Sequence, residues 1–176
     1  MPEAAQAARV RGGAASQFFW RWLGLSAAIV VADQITKWLV LARFHLGERL
    51  PVIDGFFDLV LAMNPGAAFS FLSDASGWQR YLFVVLALSV SVALVFFLRR
   101  PGHAQLHLGL ALILGGAIGN VIDRIHIGQV VDFLLVYHGG WSWPAFNIAD
   151  SAITIGAGLL ILDSFQHRGG DEPLAH

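Results

Sequence analysis

The sequence contains no cysteine and few charged residues. The absence of cysteine excludes disulfides, thiolate metal sites, a cysteine nucleophile and lipid attachment to a cysteine of this chain. Charged residues make up only 13% of the 176 residues and hydrophobic residues 56%, whereas soluble proteins have about 25% and about 45–50%. The net charge of −1 means that the chain has no excess of positive charge to attract phosphate groups, which argues against nucleic-acid binding. With a mean hydropathy of +0.64, the composition indicates a protein that resides in a lipid bilayer.

Long apolar runs are present and give the chain its organisation. A helix needs about 20 mostly apolar residues to cross about 30 Å of hydrocarbon. Four segments approach this length, and the chain is therefore predicted to be a single α-helical membrane domain with four transmembrane helices. The predicted spans are residues 22–41, 81–98, 106–122 and 145–162.

The segment before the first span is Ala-rich and polar, and residues 1–17 are predicted to form a disordered tail. The span itself is too long for the apolar region of a cleaved signal peptide, and Asp33 and Lys37 interrupt it, so it is expected to stay attached. An even number of spans places both termini on one side. The arginines favour that side as cytoplasmic under the positive-inside rule, with Arg9, Arg11, Arg21, Arg99, Arg100 and Arg168 against Arg43, Arg49, Arg80 and Arg124.

The opposite, periplasmic side is predicted to hold a small platform formed by residues 44–76 and 123–144. Hydrophobic residues alternate with smaller or polar ones over 57–63 before Asn64-Pro65-Gly66 ends the run, a pattern typical of a half-buried strand. Residues 127–137 form a second strand-like stretch, and Trp141 and Trp143 follow it where an interfacial aromatic belt is expected.

Ionisable and polar residues within spans are costly, so each one is a candidate for function. Asp33 and Lys37 lie one helical turn apart and are expected to form an ion pair that fastens the first helix to its neighbours. At the end of the third span, Asn120, Asp123 and Arg124 are expected to form a polar network, with Arg124 orienting nearby acids. The Gly115–Gly119 pair predicts close helix packing.

Asp132 and Asp150 differ from these residues because no cation neighbours either of them in sequence. Asp132 sits in the apolar run Val130-Val131-Asp132-Phe133-Leu134, and Asp150 lies one turn into the fourth span. Both are predicted at the same membrane face, where two sheltered acids would share a proton. One carboxylate would then activate water while the protonated partner polarises a carbonyl. Structural or ion-conducting roles for the two acids remain alternatives at this point.

Other chemistries lack their motifs. His103 and His107 are spaced as in a zinc protease, but no glutamate follows His103. Both are expected to be surface histidines at the turn between the second and third spans. The sequence has no GxSxG elbow and no glycine-rich phosphate loop, so neither a serine hydrolase of that type nor a phosphate-binding loop is indicated.

Five sequence blocks together resemble the bacterial lipoprotein signal peptidases (signal peptidase II), a family of intramembrane aspartic peptidases. They follow the family order from residue 33 to residue 151 and are specific as a set. The blocks are Asp33-Gln34-Ile35-Thr36-Lys37, Asn64-Pro65-Gly66-Ala67-Ala68-Phe69, Gly116-Ala117-Ile118-Gly119-Asn120-Val121-Ile122-Asp123-Arg124, Val130-Val131-Asp132-Phe133 and Phe146-Asn147-Ile148-Ala149-Asp150-Ser151.

The resemblance implies an aspartic endopeptidase of the bacterial inner membrane with Asp132 and Asp150 as catalytic dyad. It implies that Asp33, Lys37 and Asp123 are mainly structural, and that neither metal nor cofactor is used. The implied fold adds a small periplasmic β-cradle and an extramembrane helix to the four transmembrane helices. The residues that it implies line or support the site are Asn64, Gly66, Asn120, Arg124 and Asn147.

The implied substrate is a prolipoprotein that carries diacylglyceryl on its lipobox cysteine and is cut just before that cysteine. Apolar positions near the acids are expected to receive the lipid from the bilayer, namely Phe69, Phe71, Phe133 and Phe146. No oligomer is indicated. A small transporter or proton-conducting protein that uses the acids as a relay is the main alternative, and a structural membrane scaffold is a further one. On the residues alone, peptidase and transporter rank equally, and the resemblance favours the peptidase.

Overall fold

The computed structural model describes residues 2–66 and 78–166 of the chain. Within these residues it has four helices, α1 (Pro2–Arg43), α2 (Trp78–Leu98), α3 (Ala104–His126) and α4 (Ile148–Gln166). All four are long and apolar enough to cross a membrane, α1 over Gln17–Arg43 and the others over their full lengths. The prediction of four spans is therefore confirmed. Six boundaries move outward by two to five residues, the end of α2 stays at residue 98, and α4 begins three residues later than predicted.

The start of α1 differs from the predicted disordered tail. The helix begins at Pro2, so the disordered tail predicted for residues 1–17 is wrong from residue 2 onward. The alanines of this segment favour helix, because alanine has the highest intrinsic helix propensity. A proline is also compatible with the first helical position. Proline has no backbone N–H, and the N–H of the first helical residue has no partner within the helix in any case.

Helix α3 lies at the centre of the bundle and packs against the other three helices. Glycines allow this approach. A Cβ atom on Gly115 would lie 2.8 Å from the carbonyl oxygen of Ser26 on α1, and one on Gly119 would lie 2.6 Å from Asp33 Oδ2. Toward α4, a Cβ atom on Gly109 would lie 2.9 Å from the carbonyl oxygen of Gly156. The close packing predicted from the Gly115–Gly119 pair is confirmed, and α1 is the partner.

The platform is an antiparallel sheet in the order β1-β2-β3-β4. Its strands are β1 (Arg49–Ile53), β2 (Phe57–Asn64), β3 (Val130–His138) and β4 (Trp141–Ser142), so both strand-like predictions are confirmed. Residues 67–76 of the predicted platform lie outside the described residues. Among the described residues the helices are the four of the bundle, and the implied extramembrane helix is not one of them.

The sheet is held against the end of α1 by a small apolar core. Val131 and Phe133 of β3 pack with Val40 of α1 and Leu61 of β2, and all four side chains are buried. In the register of β2 with β3, Ala62 faces Asp132 and Asn64 faces Val130. Asp132 is therefore carried on a strand whose neighbouring side chains fix its position next to the bundle.

The β3–β4 hairpin turns at Gly139 and Gly140, which both have positive φ angles, 56° and 88°. A two-residue turn of this kind needs positive φ at both central positions, which glycine adopts without strain. Beyond the turn the chain runs back along β3, where the N–H groups of Phe133 and Leu134 donate to the carbonyl oxygen of Phe146. The hairpin thus leads directly into the start of α4.

Candidate active site

The first turn of α4 is held by two side chains from outside the helix. Asn147 precedes the helix, and its Oδ1 accepts the N–H of Asp150 at 2.9 Å, the usual bond of an N-cap residue. Asp33 of α1 accepts the N–H of Ala149 at 2.9 Å through Oδ1. Asp150 therefore lies in a fixed first turn, where the positive end of the helix dipole favours a negative charge.

Asp132 is buried, with 2% of its surface exposed, and each of its carboxyl oxygens accepts a side-chain amide. Asn147 Nδ2 donates to Oδ1 at 2.7 Å, and Asn64 Nδ2 donates to Oδ2 at 3.0 Å. Asn64 reaches Asp132 because Ala62 is the direct cross-strand partner of the aspartate, which makes Asn64 its diagonal neighbour. Gly66 follows on the same strand end, and its N–H donates to Asn64 Oδ1 at 2.9 Å.

Two asparagine amides connect the two acids. Asn120 Nδ2 donates to Asp150 Oδ1 at 2.8 Å, and Asn120 Oδ1 accepts from Asn147 Nδ2 at 3.3 Å. Since Asn147 also donates to Asp132, a chain of hydrogen bonds runs from Asp150 through Asn120 and Asn147 to Asp132. The structure thus brings the two predicted acids and three implied supporting asparagines into one site.

Lys37 occupies the centre of a buried ionic cluster beside this chain. Its Nζ lies 2.8 Å from Asp33 Oδ2 and 2.8 Å from Asp123 Oδ2, and it donates to Asn120 Oδ1 at 3.0 Å. The expected Asp33–Lys37 ion pair is confirmed, and Asp123 is its third member. Asp123 Oδ2 also accepts the N–H of Val131 at 3.1 Å, so the cluster ties α1, α3 and β3 together.

Gln34 is a polar residue to which the sequence analysis assigned no role. Its Nε2 donates to Asp123 Oδ1 at 2.9 Å and to the carbonyl oxygen of Gly119 at 3.2 Å. Its position in the sequence could have indicated a structural role, because a polar side chain next to Asp33 inside a membrane span needs hydrogen-bond partners.

Arg124 was expected to orient the acids. In the described residues its Nη1 donates instead to the carbonyl oxygen of Asn120 at 3.4 Å, and its guanidinium lies 5.3 Å from the centre of the Phe83 ring. Its charge still interacts with Asp150, Asp132 and Asp123. Arg124 therefore acts on the acids as a nearby positive charge, and the expected direct clamp is not observed among its hydrogen bonds.

The protonation behaviour of Asp132 follows from its surroundings. Burial of the carboxyl group, followed by the negative charge of Asp150, raises the pKa of Asp132 from 3.8 to about 7. The amides of Asn64 and Asn147 oppose this rise because they stabilise the carboxylate. Near neutral pH the carboxyl group of Asp132 can therefore hold a proton.

A cleft of about 500 Å³ opens beside Asp150. Aromatic side chains of the β3–β4 hairpin form one wall and the first turns of α4 form the other. Its lining residues are Val136, Trp141, Trp143, Phe146, Asp150, Ser151, Thr154 and Ile155.

Two of the four phenylalanines predicted to receive a lipid are among the described residues, and one of these two lines the cleft. Phe146 lines it, whereas Phe133 is only 4% exposed and belongs to the core under the sheet. The prediction for Phe133 is wrong because its side of β3 faces α1. Phe69 and Phe71 lie outside the described residues.

The histidine prediction is also corrected in part. His103 is exposed, but His107 is fully buried, and its two ring nitrogens lie 3.0 Å from the carbonyl oxygens of His103 and Arg100. Phe18 and Trp22 of α1 pack on the ring and cover it. Neither histidine joins a metal site, since the described residues hold no group of three His, Cys, Asp or Glu side chains able to bind a metal ion.

Comparison with known proteins gives a consistent result. The family model described as signal peptidase (SPase) II matches residues 25–166. The lipoprotein signal peptidase of Neisseria meningitidis serogroup B is 54% identical over 153 residues, covering 86% of this chain and 93% of the relative. That of Burkholderia multivorans is 52% identical over 150 residues, covering 85% and 90%.

Two solved structures have the same fold. Both are described as bacterial membrane enzyme structures obtained by the in meso method, at 2.3 Å and 1.9 Å resolution. The first has a TM-score of 0.77 and 29% identity and covers 90% of this chain and 95% of the other. The second has a TM-score of 0.77 and 31% identity and covers 85% and 96%.

Proposed function

The chain belongs to the signal peptidase II family and is a multi-pass membrane peptidase of the aspartic type, and from that premise we propose that Asp132 and Asp150 are its catalytic dyad. The observation that carries the assignment is the hydrogen-bond chain through Asn120 and Asn147 that connects the two carboxyl groups. A transporter or proton relay is not favoured. The polar side chains of the site gather at one end of the bundle, whereas a relay needs them through its depth.

In the proposed reaction the two acids divide the proton transfers. Asp150 is assigned as the base because Asp132 can hold a proton near neutral pH, and the Asn120 amide fixes the Asp150 carboxyl group in the first turn of α4. It removes a proton from a water molecule as the water attacks the scissile carbonyl. Asp132 carries the other proton and donates it to the developing oxyanion. Asp150 then returns its proton to the departing amine as the peptide C–N bond breaks. One hydroxyl of the tetrahedral intermediate returns a proton to Asp132 in the same step, so the carboxylic acid product forms and both acids regain their starting state.

The supporting residues keep this division in place. Asn147 and Asn64 each donate a side-chain amide hydrogen bond to Asp132. These two hydrogen bonds fix the direction in which the carboxyl group of Asp132 points. Asn120 holds Asp150 in the same way and is itself fixed by Lys37. Because side-chain orientation is set before substrate arrives, little reorganisation is needed when charge develops on the oxyanion.

The proposed substrate is a prolipoprotein that carries diacylglyceryl on its cysteine, and the bond cut is the one just before this cysteine. The apolar cleft beside Asp150 supports this proposal. Trp141, Trp143 and Phe146 offer apolar contact to an acyl-bearing group, and few charged groups are present to read a peptide sequence. A lipid that enters this cleft from the bilayer would bring its cysteine to the depth of Asp150.

We further propose that the protein lies in the inner membrane with both termini and the α2–α3 turn in the cytoplasm. The arginine asymmetry supports this orientation. It places the sheet and the two acids at the periplasmic face, which a secreted prolipoprotein reaches after its export.

The dyad is tested by the isosteric substitutions Asp132→Asn and Asp150→Asn in purified protein with a lipid-modified prolipoprotein. Each is expected to lower the cleavage rate by roughly 10⁴-fold or more while the protein accumulates normally. The double variant is expected to be no worse than either single one, since the pair acts as a unit. Asp163→Asn removes a buried acid from the other end of α4 and is expected to retain cleavage. Appreciable turnover by either dyad variant would contradict the assignment.

A further inference from the structure

An open groove of about 550 Å³ runs between α1, α2 and α3 on a side of the bundle away from Asp150. Its lining includes Ser26 of α1, Leu88, Ser91 and Val95 of α2, Arg99 directly after α2, and Leu114 of α3. None of these residues takes part in the proposed reaction. The groove is almost wholly apolar along its length and has a single charged residue, Arg99, at one end.

The length of the groove matches one leaflet of a bilayer. From Leu88 to Arg99 it follows three turns of α2, which at about 1.5 Å per residue extend about 16 Å. The hydrocarbon core of a bilayer is about 30 Å thick, so the groove extends from the headgroup level at Arg99 to about the midplane. An acyl chain of a phospholipid covers this same depth.

The floor of the groove offers no free hydrogen-bond donors to compete with apolar contact. Ser26 Oγ donates to the carbonyl oxygen of Ala111 at 2.9 Å, and Ser91 Oγ donates to that of Ala87 at 2.7 Å. Because both hydroxyl groups are bonded to the backbone, the surface left for a ligand is hydrocarbon. A chain of methylene groups therefore fits the floor better than water or a polar segment.

The charge at the mouth selects the headgroup. The Arg99 guanidinium is exposed and is placed 5.3 Å from the centre of the Phe19 ring of α1, beside the mouth of the groove. The turn from Arg99 to Ala104 also contains Arg100 and no acidic residue. The basic end of a signal peptide would be repelled here, whereas the phosphate of an anionic lipid would be attracted.

From these observations we propose that the groove binds an anionic phospholipid, with one acyl chain along α2 and the phosphate group at Arg99. The site is separate from the catalytic dyad and would link this end of the bundle to the lipid composition of the membrane. Since one basic residue near a membrane surface contributes about 1 kcal/mol, Arg99 is expected to change the affinity about five-fold.

The test uses full-length protein in nanodiscs with increasing fractions of a photoactivatable phosphatidylglycerol. Crosslinks are expected on the α2 segment Leu88–Phe96, with half-saturation shifted about five-fold upward in Arg99→Gln. Arg100→Gln is the matched control, because Arg100 lies over Phe97 and does not line the groove, and it is expected to behave like the wild type. Photoactivatable phosphatidylcholine with the same chains is expected to label α2 several-fold less.

Any one of three results would overturn the proposal. Equal shifts in Arg99→Gln and Arg100→Gln would show only a diffuse attraction between basic residues and the membrane. Equal labelling by the two lipids, or labelling spread over all lipid-facing helices, would show that the groove holds no specific lipid. Competition by inorganic phosphate at millimolar concentration would place the anion site outside the lipid-binding groove and would likewise contradict the proposal. If Arg99→Gln does not fold, the position of the crosslinks in the wild type and the comparison of the two lipids still decide the outcome.

Discussion

Asn147 donates its side-chain amide to Asp132 at 2.7 Å, so the residue that caps α4 also orients a candidate catalytic acid on β3. One side chain thus couples the start of α4 to the antiparallel sheet. Because Asp150 lies in the turn that Asn147 caps, any displacement of Asn147 moves both acids together. The relative position of Asp132 and Asp150 is therefore set by a third residue, Asn147.

The two roles of Asn147 can be separated by substitution. Asn147→Ser keeps an N-cap oxygen but loses the amide donor, whereas Asn147→Ala loses both. Both variants are expected to lower kcat by about 10- to 100-fold, because Asp132 becomes a carboxylate when it donates its proton and a hydrogen bond to a charged group is worth about 1.5–3 kcal/mol. Asn147→Ala is expected to be less stable than Asn147→Ser by about 1 kcal/mol, since it also loses the cap. Thermal unfolding in detergent measures the stability, and a kcat near that of the wild type in Asn147→Ser would contradict the orienting role.

The pKa of Asp132, raised to about 7 mainly by burial, predicts how stability depends on pH. The folded protein binds this proton more tightly than the unfolded chain, whose aspartate pKa is near 3.8. The resulting stabilisation is fully present below about pH 4 and is lost as the pH rises through 7. Its full size is at most about 4 kcal/mol, at about 1.36 kcal/mol per pH unit.

Asp132→Asn does not titrate in this range. The variant is therefore expected to gain stability relative to the wild type as the pH is raised from 5 to 8. The measurement is the difference in Tm between the two proteins at each pH. Asp54→Asn, at an exposed turn, controls for the loss of one acidic group. A difference in Tm that stays constant across the range would refute the prediction.

The Lys37 cluster predicts an unequal cost for its members. Lys37→Met leaves Asp33 and Asp123 buried without their cation and is expected to cost about 3–5 kcal/mol. Asp33→Asn leaves one lysine with one carboxylate, and its side-chain oxygen can still accept the N–H of Ala149. It is therefore expected to be clearly milder in yield and Tm. If the two substitutions were equally destabilising, the assigned charge balance would be wrong.

The proposed orientation is tested by cysteine labelling, which is clean because the chain has no native cysteine. Ala104→Cys at the α2–α3 turn and Ser142→Cys on β4 both replace exposed small residues. Gly102 is unsuitable, because a Cβ atom there would lie 2.8 Å from the His107 ring. A membrane-impermeant reagent added to intact spheroplasts is expected to label position 142 and not position 104. The reverse pattern would invert the topology.

The sequence predicted those features that depend on neighbours along the chain. Apolar run length gave the four spans, and alternation gave β2. The position of Asp132 and Asp150 among apolar neighbours indicated that they are candidate site residues. The resemblance to the signal peptidase II family indicated the asparagines that bind them, which are Asn64, Asn120 and Asn147.

Features that depend on packing between distant segments were not predictable in the same way. His107 is adjacent to a polar turn and was expected at the surface, but two aromatic rings of α1 cover it. Phe133 and Phe146 each lie next to a polar site residue in the sequence, Asp132 and Asn147, and only the packing of β3 against α1 decides that Phe133 is buried. Asp123 joins Lys37 across two helices, a contact that no spacing in one segment indicates.

Selectivity for a lipid-bearing substrate is the prediction that depends most directly on the cleft. Trp141 and Trp143 are more than half exposed, with ring centres 6.0 Å apart, and they form the wall opposite α4. Each acyl methylene that is buried contributes about 0.8 kcal/mol. A wall that covers even a few methylenes therefore determines how well the lipid-modified cysteine is held beside Asp150.

One purified prolipoprotein is compared with and without its diacylglyceryl group, in detergent and in bilayers. The lipid-modified form is expected to have the higher kcat/KM in both media. Trp143→Ala is expected to lower kcat/KM for the lipid-modified form roughly tenfold, the loss of about two buried methylene contacts, and to change that of the unmodified form much less. Trp20→Ala removes an exposed tryptophan from α1 and serves as the matched control, with no such difference expected. Equal kcat/KM for the two substrates in both media would show that the lipid is not recognised. An equal loss for both substrates in Trp143→Ala would instead show that the cleft contributes to folding or to peptide binding.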